Sequence, residues 1–227
     1  MRRAGSDVDE RPEDSYRAGF RAALPLIVPT GLIGVVFGVN AADAGWGSLA
    51  PIVMSTVVFA GSAQFALLSV LSDGGTLIAA LAAAVLINMR FLVMGIALAP
   101  SLVGGRVRRA VEGQTLVDAS FVLAANGDGT FARRRLIGAT APQYLVWVGG
   151  TAVGVLAGDS IPDPEALGLD VLFPAFFLAL LAAELRIPER RGIAAAAAII
   201  AAVLVPFAPA GVPIVAACGA VLLARRP

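Results

Sequence analysis

Two short polar groups interrupt sequence that is otherwise apolar, and both could hold a small charged molecule. The first is Gly61, Ser62 and Gln64, inside Phe59-Ala-Gly-Ser-Ala-Gln-Phe65, in the middle of an apolar run from Leu49 to Val70. A glycine–serine pair with a glutamine close behind weakens a helix where a membrane span is most regular. In hydrocarbon each freed backbone group costs several kcal/mol unless protein or water satisfies it. Unwound segments near the bilayer midplane offer half-helix N–H groups to an anionic group such as a carboxylate. Ser62 and Gln64 add neutral donors and acceptors that suit a zwitterion, and Phe59, Phe65, Leu67 and Leu68 provide apolar surroundings for an aliphatic side chain. The same residues also fit a plainer role, because small residues let membrane helices approach closely.

The second group is Asn88 with Arg90, in the apolar stretch Thr76 to Pro100. An arginine at the centre of a span costs at least ~2.5 to 3.5 kcal/mol on insertion scales and so wants a partner. That partner is either a fixed carboxylate, for which Asp118 is available, or the carboxylate of a bound molecule; the planar fork of the guanidinium suits both. Reaching to the membrane interface is the third option. Asn88 and Arg90 are two residues apart, so on one unbroken helix they point to different faces; either the helix is irregular there or they serve different neighbours. Asp118 stands in a short polar stretch from Val111 to Ala125. It is read as a proton-coupling group, as the ion-pair partner of Arg90, or as a solvated carboxylate.

Composition narrows the chemistry. The chain is 58% hydrophobic, with a mean hydropathy of +0.85, and apolar runs of ~18 residues or more recur along it, which describes a polytopic membrane protein. All 17 basic residues are arginine and there is no histidine. A histidine metal site, a histidine proton relay and a Schiff-base lysine are therefore excluded. Enzyme readings that need such groups fall with them, and no metal or cofactor is expected. The single cysteine, Cys218, lies in apolar sequence and reads as a small buried hydrophobe. The arginines are scattered in short clusters, so no nucleic-acid surface is indicated.

Residues 1 to 18 carry mixed charge with few apolar residues and read as a disordered cytoplasmic tail; residues 19–227 read as one transmembrane domain. Spans are expected near Phe20 to Ala41, Thr76 to Pro100, Leu136 to Ala157 and Val171 to Leu185. Shorter apolar segments follow at Ile193 to Val205 and Val212 to Ala224. Short arginine-rich loops stay in the cytoplasm. If the segment from Ser48 to Ser72 enters from outside, breaks near Gly61-Ser62 and returns, then Arg106, Arg108 and Arg109 fall inside, Val111 to Ala125 becomes interfacial or re-entrant, and about six crossings remain. The acidic loop holding Asp159, Asp163, Glu165 and Asp170 then lies outside. The competing reading lets both stretches cross and breaks the rule at one cluster. The expected fold is thus all-α, a polytopic transmembrane helix bundle with a broken or re-entrant segment near residues 59–65.

Taken together, the Phe59 to Phe65 run, Asn88-x-Arg90 ahead of Pro100, Asp118 after an arginine-rich loop, and Leu169-Asp170 opening a later span resemble the AzlC family, the large subunit of branched-chain amino acid exporters. The resemblance covers most of the chain from Arg17 to about Pro213 and leaves the alanine run Ala194 to Ala198 unmatched. It implies export of leucine, isoleucine, valine or methionine across the bacterial cytoplasmic membrane, with a small AzlD-like membrane subunit as partner. On that reading Gly61, Ser62, Gln64, Asn88 and Arg90 line one substrate site, with Asp118 as coupling group or ion pair. The alternative is a structural subunit or a channel-like protein with no substrate site of its own.

Overall fold

The computed structural model describes residues 14–158, 171–208 and 212–220. Among them the chain is helical apart from turns and one isolated bridge between Ala125 and Phe131. The helices are α1 (Tyr16–Asp43), α2 (Leu49–Val57), α3 (Gly61–Ser72), α4 (Leu77–Leu98), α5 (Arg106–Gly113), α6 (Asp118–Ala124), α7 (Arg133–Ala157), α8 (Leu172–Glu184), α9 (Pro188–Leu204) and α10 (Val212–Cys218). Helix α1 and the stretch Leu77–Ser101 are each long and apolar enough to cross a membrane. Helix α7 has 25 residues, which at ~1.5 Å per residue span more than the ~30 Å hydrocarbon core. Its lower apolarity has a structural reason: Thr140, Gln143 and Thr151 are buried against protein rather than facing lipid.

The core of the bundle is the pair α1 and α7, which run parallel and in register. Gly19 lies on the Arg135 carbonyl and Gly138 on Tyr16 at one end, Gly34 on Trp147 midway, and Gly38 and Gly154 on Thr151 and Val35 toward the other end. These positions require glycine because a Cβ would strike facing backbone; at Gly34 it would stand 2.7 Å from the Trp147 carbonyl oxygen. The pairs Gly34/Gly38 and Gly150/Gly154 supply the small-x-x-x-small spacing that lets membrane helices touch through their backbones. Ile33, Phe37 and Ala41 of α1, Leu68 of α3 and Trp147 of α7 close an apolar cluster beside this seam.

Helices α2 and α3 form a hairpin that goes halfway along this pair and turns back. On the way in, the Ser55 and Thr151 hydroxyls are 2.9 Å apart, and the Phe59 ring meets Tyr144 edge-on at 5.1 Å. On the way out, Phe65 packs edge-on against Phe37 at 5.5 Å, and Ser69, Ser72 and Asp73 share a cavity with Asn40, Asp43 and Trp46 at the C-terminal end of α1. Both limbs thus open at the same end. This is the re-entrant arrangement expected from the arginine map, and the helix is interrupted at Val58–Ala60, with Gly61 and Ser62 opening α3.

Helix α4 then runs the full distance to the opposite end, where Arg109 Nη2 donates to the Ala99 carbonyl at 2.7 Å. Here Leu98, Leu116, Ala124 and Leu136 form a second apolar cluster. The stretch expected to be interfacial is two short helices, α5 and α6, and α5 brings Arg106, Arg108 and Arg109 to the end that holds Arg133, Arg134 and Arg135. Asp43 and Asp73 lie at the other end.

Several boundaries differ from the sequence reading. Residues 1–13 of the expected tail lie outside the described residues, but Asp14 to Ala18 are folded. The Ser15 hydroxyl caps α1 by accepting from the Ala18 N–H at 3.1 Å, and Asp14 Oδ1 caps α7 by accepting from the Arg134 and Arg135 N–H groups at 2.7 and 3.2 Å. The gap expected between Leu185 and Ile193 is shorter in the structure, since Pro188 starts α9 and fits the first turn, where no N–H is needed. The acidic loop from Asp159 to Asp170 and the end of the last segment lie outside the described residues. Cys218 is only half-buried, with its thiol donating to the Ile214 carbonyl at 3.4 Å.

Two outcomes test this architecture. Gly150→Ala, whose methyl would meet the Gly31 carbonyl, lowers the thermal midpoint of the purified protein by several degrees, a destabilisation of about 1–3 kcal/mol. Gly149→Ala, with nothing within 4 Å, leaves it unchanged or slightly raised through helix propensity. Single cysteines at Asp43 and Asp73 label from the same side of the membrane, whereas one at Val107 labels only from the other.

Candidate functional site

At the hairpin tip the backbone is forced out of helix. Phe59 takes φ 42°, the one left-handed non-glycine residue among those described, a conformation that costs on the order of 1–3 kcal/mol. Ala60, with φ −135° and ψ 79°, precedes α3 without a side-chain cap. The Gln64 N–H bonds the Ala60 carbonyl at 3.0 Å, so the N–H groups of Gly61, Ser62 and Ala63 begin the helix without intrahelical acceptors. Gly61 lies against the Trp147 ring, where a Cβ would come within 2.8 Å.

Arg90 reaches this point from the middle of α4. Its Nε donates to Asp118 Oδ1 and its Nη2 to Asp118 Oδ2, both at 2.9 Å, and Nη2 also donates to the Ser62 hydroxyl at 2.6 Å. The guanidinium carbon sits 4.9 Å from the Phe91 ring centre and 5.8 Å from that of Phe177. The side chains are 12% and 22% exposed, and the bidentate fork offsets the cost of holding both charges away from water. Asp118 is the first residue of α6, where the free N–H groups of the turn also favour a negative charge.

A cavity of about 80 Å³ lies beside this ion pair, lined by Gly61, Ser62, Arg90 and Asp118 together with Ile33 and Phe91 among others. Toward the arginine-rich end, a cavity of about 510 Å³ shares Phe59, Ala60 and Phe91 with it and is also lined by Asn88, Leu102 and Gln114. Toward the opposite end lies a third cavity of about 750 Å³. An aromatic cluster stands in between: Phe37 stacks on Trp147 at 6.2 Å and meets Phe65 and Trp46 edge-on at 5.5 and 6.4 Å.

Of the residues expected to form one site, the structure brings Gly61, Ser62, Arg90 and Asp118 together. Gln64 faces away from the cavity and is fully buried. Its Nε2 donates to Ser55 Oγ at 2.9 Å and its Oε1 accepts from the Ala60 N–H at 3.3 Å, so it braces the hairpin internally. Asn88 lines the larger cavity, and its Oδ1 is buried without a hydrogen-bond partner. Sequence reasoning missed Glu112, which is 7% exposed. It accepts from Arg133 through both oxygens, with Nε to Oε2 at 2.6 Å, and from Arg108 Nε at 2.9 Å. Its position after an arginine cluster, four residues from Arg108, was the available signal. The hydrogen bonds from Arg133, against the opposing effect of burial and aided by Arg108, hold its carboxyl well below the usual 4.5, at about 2.

These features define a helical membrane protein whose half-crossing hairpin carries an ion pair and a small cavity at its tip. The chain belongs to the AzlC family: residues 25–161 match the family described as AzlC protein. It is 28% identical over 174 residues to the branched-chain amino acid transport protein AzlC of Bacillus subtilis, covering 72% of this chain and 66% of that one. It is 25% identical over 184 residues to the inner membrane protein YgaZ of Escherichia coli (75% and 73%). To a membrane protein of Archaeoglobus fulgidus it is 29% identical over 174 residues (75% and 76%). No solved structure matches.

The two charge clusters give separate predictions. Arg90→Met or Asp118→Leu alone leaves a buried charge unpaired and lowers stability by about 3–5 kcal/mol, seen as loss of protein from the membrane fraction. The double variant recovers much of that loss. For Glu112 the folded carboxyl titrates lower than the unfolded one. Its contribution is therefore complete above pH 4.5 and is lost as pH falls toward 2. Glu112→Gln should lower the thermal midpoint at neutral pH and flatten its decline across that window.

Proposed function

We propose that this chain is the large subunit of an exporter of branched-chain or related neutral amino acids (leucine, isoleucine, valine or methionine). It would act in the bacterial cytoplasmic membrane as a multi-pass protein together with a small AzlD-like subunit. Family membership and the name of the Bacillus subtilis relative, a branched-chain amino acid transport protein, support the substrate class. The observation that carries the reading is the cavity at the hairpin tip, which has a cation, an anion and free backbone N–H groups on its walls and yet no net charge. A zwitterion is the complementary cargo. Its carboxylate meets the N–H groups of Gly61 and Ser62 and the guanidinium of Arg90, and its ammonium faces Asp118. The aliphatic side chain lies against Phe59, Phe91 and Ile33. Asn88, in the wider cavity on the arginine-rich side, meets the substrate as it approaches from the cytoplasm. Gln64 acts indirectly, by holding Ala60 in the turn that exposes the N–H groups.

The test is leucine efflux from cells that lack their own exporters and are fed leucine dipeptides, with the chain and an AzlD-like subunit expressed together. Wild type should export. Arg90→Lys, which keeps the charge and loses the fork, should reduce export about ten-fold or more at matched membrane abundance, and omission of the small subunit should abolish it. Efflux of none of the four amino acids would overturn the substrate class. Full export by the large subunit alone in liposomes would overturn the partner.

A further inference from the structure

Two residues that line the small cavity each carry a buried polar atom with no hydrogen-bond partner, Thr30 Oγ1 and Trp147 Nε1. The residues are 8% and 4% exposed, and an unsatisfied polar group in such a place is costly. Thr30 is also unlike the other helical threonines. Thr56, Thr140 and Thr151 each donate to the carbonyl four residues earlier, at 2.8, 3.1 and 2.9 Å. Thr30, which lines the cavity, makes no such bond to Leu26, and its hydroxyl is unbonded. The two residues come from α1 and α7, the pair at the core, and so belong to different elements from the hairpin that carries Gly61 and Ser62.

We infer that Thr30 and Trp147 are substrate-binding residues: the indole N–H donates to the carboxylate of the amino acid and the threonine hydroxyl accepts from its ammonium. The assignment follows from donor chemistry. Trp147 Nε1 can only donate, so its partner must be an acceptor, which on the amino acid is the carboxylate. The cavity already offers more donors, in Arg90 and the first N–H groups of α3, than acceptors, which are supplied chiefly by Asp118. An ammonium with three N–H groups needs a further acceptor, and Thr30 is the hydroxyl there that no protein group uses. This inference rests on the amino-acid reading above and adds to it the fixed half of the site.

The experiment is binding of radiolabelled leucine to the full chain, with its small subunit, in lipid nanodiscs. Thr30→Val keeps the shape and removes the hydroxyl, and should weaken binding about 10- to 100-fold, the range for losing a hydrogen bond to a charged group. Thr30→Ser should stay within a few-fold of wild type. The chain has two tryptophans, so Trp46→Phe leaves Trp147 as the sole emitter, and leucine should then shift its fluorescence with the affinity seen by radiolabel. Equal binding by Thr30→Val and wild type overturns the Thr30 contact. Saturable binding with no change in Trp147 emission overturns the Trp147 contact. Wild type that binds no neutral amino acid takes down the transport reading and this inference with it, an outcome distinct from either of the others.

Discussion

Backbone contact between α1 and α7 is the constraint on which the rest depends. Glycines at 19, 34, 38, 138, 150 and 154 bring the two helices together without intervening side chains. Dispersion between closely apposed backbones then replaces the hydrophobic drive that lipid cannot supply. Because the pair is parallel and in register, it fixes which residues of the two helices lie at the same depth. Thr30 and Trp147 meet at one level, Gly38 and Thr151 at another. The hairpin is only 9 and 12 residues on its two limbs and is held against this pair by side chains.

Those side chains explain how a strained turn survives in the bundle. The left-handed Phe59 is over-determined: its ring is clamped on Tyr144, and the next residue's N–H is claimed by Gln64. Gln64 in turn bonds Ser55, whose hydroxyl meets Thr151, which donates to the Trp147 carbonyl. A continuous chain of neutral hydrogen bonds thus ties both limbs to α7, and in a low-dielectric setting such bonds strengthen one another. The strain stays at the tip, where the backbone N–H groups are exposed.

The main elements were legible because hydrophobic run length and arginine placement each carry a physical cost that the fold must meet. Arg90 could be paired with Asp118 from sequence since an intramembrane charge needs a countercharge, whereas Asn88, expected in the same site as Arg90, lines the larger cavity, as a two-residue spacing on a regular helix requires. The same rule, applied to Ser62 and Gln64, would have separated them too. Two residues on a helix are about 200° apart, so only one could face the cavity, and it is Ser62. The strained residue was not legible, because the break falls on bulky Phe59 rather than on the neighbouring glycine. Thr30 and Trp147 were hidden for another reason. A threonine in a span ordinarily bonds its own helix and a tryptophan ordinarily packs, so their unmet bonds exist only in three dimensions.

The salt link between Arg90 and Asp118 has an electrical consequence. A single charge carried across the bilayer exchanges about 2.3 kcal/mol with each 100 mV of membrane potential. Cation and anion here are locked to each other by two hydrogen bonds and to the hairpin through Ser62. They travel as one dipole in any rearrangement that keeps the fork intact. A movement that keeps the pair's orientation carries no net charge through the field, so voltage does no work on it, whereas one that turns the pair couples to voltage through its dipole alone.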